Sequence, residues 1–211
     1  MGYFPFFVEL TGKQGLVVGG GAVALRKVRK LLPYGPALTV VAPALCGGLR
    51  ETAGVTLVER PFMPEDLADR DFVIAATDDH GLNLRIAELC KVRRIPVNVA
   101  DCKEACTFLF PALVKRGDLS VGISTGGAGP TAAVYLKERF AELLPERFEE
   151  ILVYLETVRG AAKERLPEEA ARKRLLADVF SACMEAGRPL TDAELAEALQ
   201  RAREEADDGS T

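Results

Sequence analysis

What the sequence is short of narrows its class before any motif is read. It has no apolar run able to cross a bilayer. The longest, Gly15 to Leu25, contains four glycines and falls well short of the roughly 20 residues a spanning helix needs. It has no basic surplus either, because 27 Lys and Arg face 31 Asp and Glu for a net charge of −4. In the C-terminal third the two signs alternate, as on solvated helices. A nucleic-acid binder, which needs a basic patch or stripe, is therefore not expected. A polyanionic small substrate needs only a local cluster of Arg and Lys and stays compatible. The five cysteines (Cys46, Cys90, Cys102, Cys106 and Cys183) are odd in number and scattered, which is no disulfide framework and fits free thiols in a reducing compartment. The single histidine, His80, stands beside an expected helix start and reads as a cap or surface residue rather than a ligand. Cys102 and Cys106 are spaced as a possible soft-metal pair, but two thiols do not close a site, so no resident metal is expected. The N-terminus lacks the basic start and long apolar stretch of a signal peptide and the hydroxyl residue of a myristoylation motif. A cytoplasmic location, away from membranes, is the expectation.

What is present is enough for a real core: 211 residues, 48% of them hydrophobic, leave room for one large domain and a smaller one. From Gly15 to Pro111, short β-branched runs alternate with helical stretches, the pattern of βαβ units feeding a parallel sheet. Strands are predicted at Gly15–Val18, Ala37–Val41, Val55–Val58, Phe72–Ala75 and Ile95–Val99. Helices are predicted at Ala22–Leu32 and Asp79–Lys91, where Leu82, Ile86, Leu89 and Cys90 recur at helical spacing. After Asp101 the pattern changes. Thr107–Val114 and Leu119–Ser124 read as two strands joined through Lys115-Arg116-Gly117-Asp118, followed by a glycine turn and an amphipathic helix from Thr131 to Leu144. Beyond Pro145 the chain reads as all helix. Phe148, Ile151, Leu152, Leu155 and Val158 form one stripe, Leu175, Leu176, Val179, Phe180 and Cys183 another, and Thr191 with Glu194 forms a capping box. The polar stretch Glu204 to Thr211 is expected to fray. The fold class is thus α/β: a Rossmann-like parallel-sheet domain over residues 1–112, a small α+β dimerisation segment over 113–145 and a helical domain over 146–211.

The chemistry starts at Gly19-Gly20-Gly21-Ala22-Val23-Ala24, a G-x-G-x-x-A turn between a predicted strand and a predicted helix. Gly19 permits the tight turn, Gly21 lets backbone approach a pyrophosphate, Ala24 lets helix and strand pack, and the helix N-terminus faces the anion. The alternative is a glycine-rich turn with no ligand. Cofactor contacts are expected at Gly19, Gly21, Ala22 and Val23, at Ala42 and Pro43 on the second strand's tip, and at Thr77 and Asp78 on the fourth. The second strand ends without the Asp or Glu that holds a ribose 2′-hydroxyl and without an Arg for a 2′-phosphate, Arg50 being several residues on. Physics leaves NAD against NADP open, and NAD with backbone recognition of the ribose is the reading adopted. Asp78 or Asp79 can simply cap the next helix. Asp101, at the fifth strand's tip, fits a turn or cap residue as well as a catalytic base.

Further matches accompany the glycine turn: Arg26-Lys27 after it, Ala75-Ala76-Thr77-Asp78-Asp79, Asn98-Val99-x-Asp101, Phe108-x-x-Pro111 and Ser124-Thr125-Gly126-Gly127-x-x-Pro130. In this order and spacing they resemble the bifunctional precorrin-2 dehydrogenase and sirohydrochlorin ferrochelatase family over about residues 3 to 145. The resemblance implies an NAD-binding domain, a central segment that forms a homodimer and a helical C-terminal domain. It implies that Asp101 matches the family's essential aspartate, a general base in dehydrogenation, and that Thr125 matches a serine phosphorylated in some relatives, near the tetrapyrrole cleft. It further implies that the chain, lacking the methyltransferase module some siroheme synthases append, serves the later steps only.

The expected reaction is NAD-dependent oxidation of precorrin-2 to sirohydrochlorin, with Asp101 taking the proton. Ser124, Thr125 and the amides of Gly126 and Gly127 are expected to form an anion-binding turn for the substrate. Lys115, Arg116, Lys137 and Arg139 are candidates for its carboxylates, each of which reads equally as solvated charge. The rival readings are an enzyme that also inserts Fe²⁺, a non-catalytic NAD-sensing module, and a Rossmann oxidoreductase for a small substrate.

Overall fold

The computed structural model describes residues 3–208, so the first two residues and the end of the polar C-terminal stretch expected to fray lie outside the described residues. The chain divides into two compact units, Phe4–Phe110 and Pro111 onward.

In the first unit five apolar runs form five parallel strands: β1 (Gln14–Val18), β2 (Ala37–Ala42), β3 (Val55–Glu59), β4 (Phe72–Ala75) and β5 (Val97–Val99). Their order is β3-β2-β1-β4-β5, with Val17 of β1 level with Val40 of β2 and Ile74 of β4. Side chains of a strand alternate between faces, so a sheet covered on both sides needs apolar residues at every position. One face joins Val17, Val40 and Ile74 to Ala24, Val28 and Leu31, the inward stripe of α1 (Ala22–Leu31). The crossover from β2 to β3 is reduced to a single helical turn, α2 (Gly47–Arg50), and that from β3 to β4 to a 3-10 turn at Pro64–Leu67. The other face joins Leu16, Val18, Val73, Ala75, Val97 and Val99 to Ile86, Ala87 and Cys90 of α3 (His80–Arg93). Each fully buried aliphatic side chain contributes about 1.5–3 kcal/mol.

Two strand predictions need correction. β5 begins at Val97 rather than Ile95, because Pro96 has no N–H to give the ladder and only its carbonyl pairs, with Val73 N at 2.9 Å. Thr107–Pro111 is not strand. It folds back along the outer edge of β5: Val97 N donates to Thr107 Oγ1 (2.7 Å), Thr107 N donates to Val97 O (2.8 Å), and Val99 N donates to Cys106 Sγ (3.1 Å).

The second unit opens with an antiparallel hairpin, β6 (Ala112–Arg116) and β7 (Leu119–Ile123), in which Arg116 pairs with Leu119. Lys115 and Arg116 therefore belong to the strand, and the turn is the two residues Gly117-Asp118, with Gly117 at φ 51° as a tight hairpin requires. Helix α4 (Pro130–Glu142) starts at Pro130, whose fixed φ suits a first helical position. Three helices follow, α5 (Phe148–Arg165), α6 (Glu169–Ala186) and α7 (Asp192–Asp208). They share a core of Ile151, Val158, Leu175, Val179, Cys183, Ala198 and Leu199. Phe180, predicted in that stripe, lies at its flank and is 39% exposed. The capping box forms: Glu194 N donates to Thr191 Oγ1 (3.4 Å) and Thr191 N to Glu194 Oε2 (2.6 Å). Among the described residues no helix is long and apolar enough to cross a membrane.

Candidate functional site

Strand order reverses between β1, whose crossover leads to β2, and β4 on its other side, and ligands of open α/β sheets bind at the strand carboxyl ends beside such a reversal. The turn after β1 stands there, and its three glycines serve different needs. Gly19 has φ 131°, and a Cβ on it would lie 2.2 Å from Ala76 O at the tip of β4. A Cβ on Gly20 would lie 1.8 Å from Ala44 O beyond β2, while Gly20 O accepts a bond from Cys46 N (2.8 Å). Both glycines let the strand tips close on one another. Gly21 meets nothing within 4 Å, so the space over it is open. It is the N-cap of α1, has no side-chain cap bond, and is followed by no acidic residue in the first turn. The helix thus presents uncapped N–H groups and the positive end of its dipole to that space, which suits a phosphate. Ala22 is exposed and Val23 half-buried at the helix start, and Ala24, fully buried, allows α1 its close approach to the sheet.

The neighbouring tips are ordered by bonds of their own. Ala42 is buried and Pro43 exposed at the end of β2. Arg50, the nearest cation along the chain from that tip, is tied to Glu59 at 2.5 Å. At the end of β4, Thr77 is held by Asn83 of α3: Thr77 N and Oγ1 donate to Asn83 Oδ1 (3.1 and 2.8 Å), and Asn83 Nδ2 donates to Thr77 O (3.0 Å). Asn83 is only 3% exposed. Of the two aspartates, Asp79 caps α3 by accepting from Leu82 N (3.0 Å), which leaves Asp78 exposed at the tip. His80 is the exposed first residue of that helix.

Asp101 follows β5, exposed, with φ 58°. A non-glycine residue in the left-handed region costs of order 1 kcal/mol or more and persists where its surroundings fix it. They do so here. Ala100 N donates to Ala75 O (2.8 Å). Asn98, 4% exposed, donates from Nδ2 to Phe108 O (3.0 Å) and accepts on Oδ1 from Lys27 Nζ (3.1 Å). The Cys106 thiol lies 3.2 Å from Cys102 O and 3.3 Å from Val99 O. Burial pushes the Cys106 thiol above its ordinary value, so it acts as a hydrogen-bonding group rather than a nucleophile. Gly19, Gly21, Thr77, Asp78 and Asp101 thus share one sheet edge of one unit. Sequence reasoning missed Asn83, although a polar residue at helical spacing from Ile86, Ala87 and Cys90 was the available signal, and it missed the packing role of Gly20.

Ser124, Thr125, Gly126 and Gly127 lie in the second unit, between β7 and α4. Gly126 N donates to Ser124 Oγ (3.2 Å) and Gly129 N to Thr125 Oγ1 (3.2 Å), the hydroxyls shaping a turn in which Gly126 and Gly127 take φ 62° and 90°. Of the four basic candidates, Arg139 pairs with Glu142 (2.9 Å), Lys115 donates to Gly117 O, Arg116 donates to Lys115 O (3.2 Å), and Lys137 is half-buried on α4. Among the described residues no three His, Cys, Asp or Glu side chains converge as a metal site.

Comparison with known proteins agrees with this division. A family described as NAD(P)-binding matches residues 6–112, and one described as the central part of sirohaem biosynthesis proteins matches residues 116–143. The siroheme synthase of Thioalkalivibrio sulfidiphilus is 40% identical over 177 residues, which cover 82% of this chain and 36% of the relative. That of Pseudomonas entomophila is 40% identical over 184 residues, covering 85% and 40%. The chain therefore spans about two fifths of the length of these curated relatives. The solved structure of SirC, precorrin-2 dehydrogenase, matches with a TM-score of 0.70 and 25% identity over 96% of this chain and 100% of that one. With a Rossmann-like sheet, the glycine turn and the central segment all in place, the chain belongs to the siroheme synthase and precorrin-2 dehydrogenase–sirohydrochlorin ferrochelatase family.

Proposed function

We propose that this protein oxidises precorrin-2 to sirohydrochlorin with NAD as the acceptor, working as a cytoplasmic homodimer through its central segment. The observation that carries the reading is the sheet edge on which an open, uncapped glycine turn and the exposed carboxylate of Asp101 stand together. The residues present fit a dinucleotide: the space over Gly21 and the first-turn N–H groups of α1 receive the pyrophosphate, and Ala22, Val23, Ala42, Pro43, Thr77 and Asp78 line its approach. With Arg50 engaged by Glu59 and no cation at the tip of β2, nothing there selects a 2′-phosphate. NAD when bound supplies the hydride acceptor. Asp101 takes the proton that leaves the macrocycle with the hydride, and its exposure lets it pass that proton to water. In the second unit, the Ser124–Gly127 turn is assigned to a carboxylate of the substrate. Helix α4 leaves Val134, Tyr135 and Leu136 about half exposed, as a face that dimerises would.

The test is an anaerobic absorbance assay of sirohydrochlorin formation from precorrin-2, with and without NAD, in the wild type and in Asp101→Asn. NAD-dependent product is expected in the wild type, and a loss of about 10²-fold or more in the variant with NAD affinity retained. Wild-type turnover by Asp101→Asn removes Asp101 as the base. NAD binding without turnover in the wild type makes the protein a nucleotide-binding relative without this activity.

A further inference from the structure

Lys27 is a charge with an unusual setting. It lies on the second turn of α1, half-buried, with its ammonium 3.1 Å from the Oδ1 of buried Asn98 and 3.8 Å from the centroid of the Phe110 ring. Asn98 accepts from Lys27 on Oδ1 and donates from Nδ2 to Phe108 O and, at 3.5 Å, to Cys106 Sγ. The ammonium thus joins three pieces of chain: the helix that opens on the glycine turn, the strand that ends at Asp101, and the segment that returns along β5. We infer that Lys27 is a positioning residue for Asp101, fixing the loop that carries this carboxylate against the helix that receives the dinucleotide. The inference rests on the function proposed above.

The electrostatics agree with the geometry. Lys27 is pulled down to about 8, first by desolvation and then by Lys30 and Arg26 on its own helix, while the carboxylate of Asp101 on the facing loop pulls the other way. Because the value is lowered, the charged form is held at a cost below pH 8, and stability is regained as pH rises from about 8 toward the ordinary lysine value of 10.5. Methionine here would keep the stem and remove the desolvated charge, but it would leave the buried Asn98 Oδ1 without the donor Lys27 supplies. The ammonium therefore holds Asn98, three residues before Asp101, and carries its charge on the side of the helix that faces this loop.

Two measurements decide it. The first follows the Lys27 side-chain signal of ¹³C-lysine-labelled protein through a pH titration, in the wild type and in Asp101→Asn. A midpoint near 8 that falls further in the variant is expected, because Asp101 supports the charge. A midpoint at the ordinary lysine value, or one indifferent to Asp101→Asn, overturns the inference. The second compares pH–rate profiles for precorrin-2 oxidation. The wild type should lose activity above pH about 8, Lys27→Arg should keep activity there because its charge persists, and Lys27→Met should lose roughly 10-fold or more in kcat with KM for NAD unchanged, beside a modest fall in Tm from the unpaired Asn98 Oδ1. Lys27→Met turning over at the wild-type rate with the wild-type profile overturns the inference. If the wild type does not oxidise precorrin-2 at all, the proposed function falls, and the titration alone then decides for or against the coupling of Lys27 to Asp101.

Discussion

Alanine at Gly20 and alanine at Gly21 are one methyl group each, one position apart, and should do opposite things. At Gly20 the new Cβ lies 1.8 Å from Ala44 O, far inside the 3.4 Å at which ordinary contact begins, and the obstacle is backbone. Relief requires the tips of β1 and β2 to part, which breaks the 2.8 Å bond from Cys46 N to Gly20 O. Overpacking plus one lost bond amounts to about 2–4 kcal/mol, or roughly 10–20 °C in the Tm of a unit this size. At Gly21 nothing lies within 4 Å, and φ −92° with ψ −170° is backbone any residue adopts. The cost to the fold is the exchange of glycine for alanine at an N-cap, at most about 1 kcal/mol. The methyl group instead occupies the space above the helix N-terminus and separates a phosphate from its amides. Losing one such charge-assisted bond weakens NAD binding by about 10–100-fold. Calorimetric melting and calorimetric NAD titration on both variants read the two effects separately. NAD affinity unchanged in Gly21→Ala would refute the assignment of the open space to pyrophosphate, and an unchanged Tm in Gly20→Ala would refute the packing argument.

Other outcomes follow from single groups. Asn83→Leu should lower the Tm by roughly 10 °C, since it leaves the Thr77 N–H without its buried acceptor at about 1–3 kcal/mol; an unchanged melt would show that water replaces the amide. In the helical unit, Glu194 is pushed down to about 2, first by its bonds with Arg188 (both 3.0 Å) and then by those from Thr191. A lowered carboxyl value means the contribution is whole above 4.5 and is lost as pH falls through about 2. The Tm difference between wild type and Glu194→Gln should therefore be constant at pH 6 and vanish toward pH 2 in circular-dichroism melts, and a pH-independent difference would remove the ion pair as its cause.

How far the sequence could be read depended on whether a residue's role was local. The α1 stripe of Ala24, Val28 and Leu31 and the apolar strands on either side of it follow from periodicity, and Thr191 with Glu194 from a spacing of three. The hairpin was displaced because Thr107–Phe110 has strand composition but is recruited as a cover by Val97 and Asn98, partners some ten residues back. Asn83, Asn98 and Lys27 are polar residues whose work lies in contacts 6, 10 and 71 residues away along the chain. Apolar neighbours mark Asn83 and Asn98 as inward-facing, but the partners that give them and Lys27 their work are not local. The glycine run was legible as a turn, yet which glycine faces a ligand and which faces Ala44 O is decided by the tip of β2.

The cover along β5 also bears on solution behaviour. An exposed strand edge is a template on which a second chain can add itself, and proteins blunt such edges with charge, bulges or covering loops. Here Thr107 and Cys106 take the outward N–H groups of Val97 and Val99, so β5 offers a neighbouring molecule no free backbone donor at either residue. A fragment of the first unit ending at Asp101 would strip that cover and expose the short edge strand Val97-Asn98-Val99 with its outward N–H groups unpaired. One ending at Phe110 would keep it, and of the two only the longer is expected to stay dispersed at high concentration.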